Sequence, residues 1–153
     1  MAAEIGASAL DLVEGERRWV TSHDRLAGRA SMLEARALME FLVGRSDSRP
    51  ADDSDVLPQD YVSGWTMAEE HVERLRLRIG YLDQRLVHLS LARVDDPPDP
   101  PAGWHMEVEF LVGEVRRFAD AMVGVSALAH LLPSLREAER LLAGYPWRPA
   151  TST

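Results

Sequence analysis

The sequence predicts an all-α, single-domain bundle of about five helices with a long central third helix. Three observations carry that reading. Apolar residues recur at helical spacing along nearly the whole chain, and no stretch alternates as a half-buried strand would. Valine and isoleucine are scattered among Leu, Ala, Glu and Arg, which favour helix. Two long breaks, residues 45–64 and 94–103, separate the periodic stretches, so the bundle need not be a simple up-and-down one. At 153 residues the chain has the size of one domain and is long enough to bury a sizeable core.

The first helix is expected from about Ala7 to Val20, with Ala9, Leu12, Val13 and Val20 on its buried side. "TSHD", residues 21–24, offers capping side chains. Either a second helix starts there or the first runs on through it. The second helix then spans about Asp24 to Val43, with Leu26, Ala30, Leu33, Ala37 and Phe41 as its inward stripe and Gly44 as terminator. Residues 45–64 form a polar loop that Val56, Leu57 and Tyr61 pin back to the bundle. The third helix covers about Thr66 to Arg93. "VDDPPDPPAG", residues 94–103, holds four prolines and is a stiff connector that no helix crosses. A fourth helix follows from about Trp104 to Val123. Residues 124–144 make a fifth helix or a pair broken near Pro133, ended by Gly144 and Pro146. Residues 146–153 are a flexible tail. Trp65 and Trp104 are read as staples closing the bundle ends, and Met32, Met39 and Met122 as packing residues.

The third helix has two faces at about 100° per residue. Ala68, Val72, Leu75, Ile79, Leu82, Leu86 and Leu89 make the core stripe. Nearly opposite lie Leu77, Tyr81, Gln84, His88 and Leu91, an apolar or amphipathic set rather than a charged one. Such a helix is covered on both sides, either inside the monomer or by a homodimer mate. Arg74, Arg78 and Arg85 form a basic strip between the two faces. His88 lies three residues from Arg85, so their side chains are neighbours. Its ordinary pKa near neutrality suits proton transfer, and an adjacent arginine suits a phosphate. The bland reading is a neutral, hydrogen-bonded interface histidine.

Composition narrows the function classes. The chain has no cysteine, which excludes disulfides, zinc–thiolate sites and cysteine nucleophiles and agrees with a cytoplasmic protein. The N-terminal stretch lacks a secretory pattern, and no segment is apolar enough to span a membrane. A net charge of −8 argues against a broad nucleic-acid surface, so no DNA partner is expected. His23, His71, His88, His105 and His130 show neither a His-x-x-x-His nor a Glu-x-x-His pair, so no metal site and no cofactor are expected. "DDSD" in the loop lacks the glycine and distal glutamate of a calcium loop. No phosphate-binding glycine loop or nucleophile elbow is present.

"DDSDVLPQDYVSGW", "LDQRLVHLSLAR" and the proline-rich loop before an aromatic together resemble small bacterial helical proteins similar to the HEPN superfamily, in its abortive-infection-associated branches. The resemblance covers about Arg45 to Phe118. It implies a helical, often dimeric bundle, and in many members a metal-independent ribonuclease. That activity rests on an arginine followed, after four to six residues, by a histidine at the dimer interface. His88 matches the histidine. The arginine window holds Tyr81, Leu82 and Asp83 instead, and a carboxylate there would repel a scissile phosphate. The resemblance therefore implies a non-catalytic homodimer with a binding or regulatory role. The alternatives are a ribonuclease using His88 with Arg85 on RNA, and a small-ligand sensor.

Overall fold

The computed structural model describes residues 2–44, 56–86 and 100–144, and of Arg85 the backbone alone. Over these residues the chain forms six helices and no strand. α1 runs Ala2–Ser22, α2 Arg25–Val43, α3 Pro58–Tyr61, α4 Glu69–Leu86, α5 Trp104–Ala121 and α6 Leu128–Ala143. No helix among them is long and apolar enough to cross a membrane.

The break at 21–24 is real. Thr21 and Ser22 turn their hydroxyls back onto the carbonyls of Arg17 and Arg18. His23 then adopts φ 54°, a left-handed conformation that ends a helix. Asp24 caps the next one: its Oδ1 accepts the Ala27 N–H at 3.1 Å. That hydrogen bond, with Arg18 beside it, holds the Asp24 carboxyl below its usual range. At the other end of α2, Gly44 sits at φ 67°, where a Cβ would be strained.

The inward face of α2 differs from the expected one. Ala27, Gly28, Ser31, Met32, Ala35, Leu38, Met39 and Leu42 are buried. Leu26, Ala30, Leu33 and Ala37 point outward, Leu26 at 74% and Leu33 at 48% exposure. Both faces are apolar, but half of the buried one, Ala27, Gly28, Ser31 and Ala35, consists of small residues. These let α1 and α2 approach closely, which gains more contact than larger side chains held further apart.

The small residues recur in α1. A Cβ on Gly6 would stand 2.7 Å from the Leu131 carbonyl oxygen of α6, and one on Gly15 2.8 Å from the Ala27 carbonyl oxygen of α2. α1 packs on α2, α5 and α6, and α2 on α1, α4 and α5, so these two helices make the centre of the bundle. The predicted third helix is α4. Its backbone packs chiefly against α2, and its expected extension to Arg93 lies outside the described residues.

The long loop contains α3, which sequence periodicity is too short to reveal. Pro58 opens it, and the Leu57 N–H donates to Asp60 Oδ2 at 2.8 Å. Tyr61 meets the ring of Phe118 edge-on at 6.0 Å, as Phe41 and Trp65 do at 5.2 Å. The loop is thereby pinned to the core. Trp104 Nε1 donates to Ser31 Oγ at 3.1 Å in the interior, tying the start of α5 to α2. Met32, Met39 and Met122 are fully buried. α6 runs unbroken through Pro133. Pro133 and Ala129 are both exposed, so water can serve the carbonyl that proline leaves unbonded.

Candidate functional site

Of the residues that the sequence singled out on its third helix, Arg74, Leu77, Arg78, Tyr81, Gln84 and the backbone of Arg85 lie on α4. Leu77 is 71% exposed. Gln84 is exposed, while Tyr81 is half-buried and packs on the core. The side chain of Arg85, and both His88 and Leu91, lie outside the described residues. The outer face is therefore open at Leu77 and closed at Tyr81.

The basic strip is engaged internally. Arg74 Nη2 donates to Glu107 Oε1 at 3.0 Å, and Arg78 Nε donates to the same oxygen at 3.1 Å. Glu107 is 5% exposed, so both guanidiniums reach inward from the rim to a buried carboxylate. Its Oε2 has no hydrogen-bond partner. Asp83 accepts from Arg36 Nε of α2 at 2.5 Å. Arg36 also holds Glu40 one turn along its own helix.

The same seam continues towards the start of α4. His71 Nδ1 lies 3.1 Å from Glu114 Oε1, out of line for a hydrogen bond. Glu114 is also buried, and its Oε2 takes Arg117 Nη1 at 2.7 Å. The His71 ring stands edge-on to Phe110, with centroids 5.1 Å apart, and the Arg74 guanidinium stacks 4.0 Å over that same ring. His71 pairs with Glu114 and Arg78 with Glu107, so sequence numbers rise along α4 as they fall along α5. The two helices are antiparallel, joined by long charged side chains with Phe110 between them.

A carboxylate behind an imidazole can orient it for proton transfer. Here the His71 ring stands against Phe110, and Glu70 Oε1 lies 3.8 Å from its Nε2. Among the described residues no three His, Asp or Glu side chains are placed to hold a metal ion.

One further ionisable group stands apart. Glu16 of α1 is 2% exposed and its Oε2 has no hydrogen-bond partner. Burial pushes its pKa up to about 7. Nothing in the sequence marked Glu16, Glu107 or Glu114 as buried. The available hint was their register: each lies three or four residues from apolar positions that face the core. All 17 basic residues of the chain are arginines. Their forked guanidiniums can satisfy such carboxylates while the side chains stay near the surface.

Comparison with family models, curated proteins and solved structures finds no match to this chain.

Proposed function

We propose that this protein is a non-catalytic, HEPN-like helical module that acts as a homodimer in a binding or regulatory role. The observation that carries this reading is a contrast between charged and apolar side chains. The arginines best placed to meet an anionic substrate on α4, Arg74 and Arg78, are spent on Glu107. Large apolar side chains stand in water instead, Leu77 on α4 and Leu26 and Leu33 on α2. Apolar surface left open on a small helical bundle favours association over chemistry on a charged polymer. The pairing of Asp83 with Arg36 points the same way, since it anchors α4 to α2 at the position where the ribonuclease motif has its arginine.

Sedimentation velocity at micromolar concentration tests the reading. A dimeric species is expected, and a strict monomer overturns it. RNA incubated with wild type and with His88→Ala tests the absence of catalysis. Neither is expected to cleave. Cleavage by the wild type that the substitution abolishes moves the protein to the ribonuclease class.

A further inference from the structure

The outward face of α2 has the geometry of a helix–helix seam. Leu26, Ala30, Leu33 and Ala37 follow one another at spacings of four, three and four. At about 100° per residue they fall within a narrow sector, opposite the face that α2 buries. A stripe this narrow, with leucine and alanine in alternate layers, is the pattern of two helices lying side by side. Nothing in the described fold packs Leu26, which stays 74% exposed. The alanines leave room for a second helix to come close between the leucine layers.

The charges flanking the stripe specify the occupant. Arg29 borders it on one side and Glu34 on the other, both half-buried, with no ion-pair partner among the described residues. If a second copy of α2 lies alongside in the same direction, the pair has two-fold symmetry. Leu26 then meets Leu26 and Leu33 meets Leu33. The five-residue offset brings Arg29 of each copy against Glu34 of the other, giving two symmetric ion pairs. An antiparallel pair would instead set Arg29 against Arg36 of the other copy, which Asp83 and Glu40 already hold, and would part Arg29 from Glu34. We propose that the outward stripe of α2 is a self-association seam, formed by two copies of this chain with their α2 helices parallel. This rests on the homodimer reading above and moves its interface from α4 to α2.

Four variants of the full chain, all at positions on or beside the outward stripe, test the seam. Leu26→Asp with Leu33→Asp is expected to convert the dimer to monomer in sedimentation while leaving the helical circular dichroism and thermal midpoint of the monomer unchanged. Arg29→Glu is expected to weaken association, and Arg29→Glu with Glu34→Arg to restore it. The chain has no cysteine of its own, so Leu26→Cys gives a clean direction test. Parallel helices place the two thiols together and yield a disulfide-linked dimer under mild oxidation. Antiparallel helices sharing the same stripe hold them roughly 16 Å apart and yield none.

The outcomes separate the two ideas. A monomeric wild type overturns the homodimer reading and the seam with it. A wild-type dimer that survives the double aspartate substitution overturns the seam alone and returns the interface to the outer face of α4. A double variant that loses stability with no change in oligomeric state means that the chain's own residues cover the stripe, and also overturns the seam. A dimer lost in the double aspartate variant but not cross-linked at position 26 overturns the parallel direction.

Discussion

α1 and α4 are helices of similar length in one bundle, held there by opposite means. α1 brings backbone against backbone. Gly6 and Gly15 remove the side chains that would separate it from α6 and α2, and Ile5, Ala9, Leu12 and Val13 are buried. α4 stands further from α5 and spans the gap with Arg74, Arg78 and His71, which reach Glu107 and Glu114. The dry contact derives its stability from close packing, which no single group dominates. The charged contact depends on a few groups whose desolvation offsets much of their attraction. The difference teaches that leucine density is a poor guide to which helix is central. α4 is the richer in leucine and arginine, yet α1, with its alanines and glycines, makes the broadest backbone contacts, with α2 and α6.

The largest test of this contrast is in α1. Leu12→Ala removes a fully buried side chain and is expected to cost about 2–5 kcal/mol, measured by urea denaturation followed by circular dichroism. Next is Glu16, a buried carboxyl whose Oε2 has no hydrogen-bond partner. Its pKa is about 7 in the folded chain against 4.5 ordinarily, so the folded state holds its proton more tightly. Stability from this group is full below about pH 4.5, falls as pH rises towards 7, and stays low above that. Glu16→Gln is therefore expected to flatten the pH dependence across that window and to stabilise the protein at pH 8 by up to about 3 kcal/mol. A variant less stable than wild type at pH 8 contradicts this.

The same substitution made in both helices gives the sharpest comparison. Gly6→Ala drives a methyl group against the Leu131 carbonyl, a backbone atom that cannot swing aside. It is expected to destabilise by roughly 1–3 kcal/mol. Gly80→Ala on α4 places its methyl in open space and is expected to stabilise by about 0.5–1 kcal/mol through helix propensity. Thermal midpoints that move in the same direction for the two variants would erase the distinction between the helices.

Much of the fold was legible in the sequence, and the reasons are local. Asp24 as a cap and Gly44 as a stop act within a few residues of themselves. The exposed stripe of α2 was misassigned as its core face because Leu26 and Leu33 score as more hydrophobic than Gly28, Ser31 and Ala35. Which stripe wins is decided by how closely α1 can approach, a property of two helices together. The α4–α5 seam was hidden for a related reason. Arg78 and Glu107 are 29 residues apart, and each alone looks like an ordinary surface charge. His71, which the sequence offered only as one of five histidines without metal-ligand spacing, acquires its meaning from Glu114 and Phe110 on another helix.

The aromatic cluster around Phe118 also gives the molecule an optical signature. Trp65 is buried, meets Phe118 edge-on and leaves its indole N–H without a hydrogen bond, whereas Trp104 donates its own to Ser31 and Trp19 is only half-buried. Emission from Trp65 should therefore lie furthest to the blue of these three. Red-shifting of that component on denaturation would report when the loop carrying α3 lifts from the core, separately from the melting of the helices themselves.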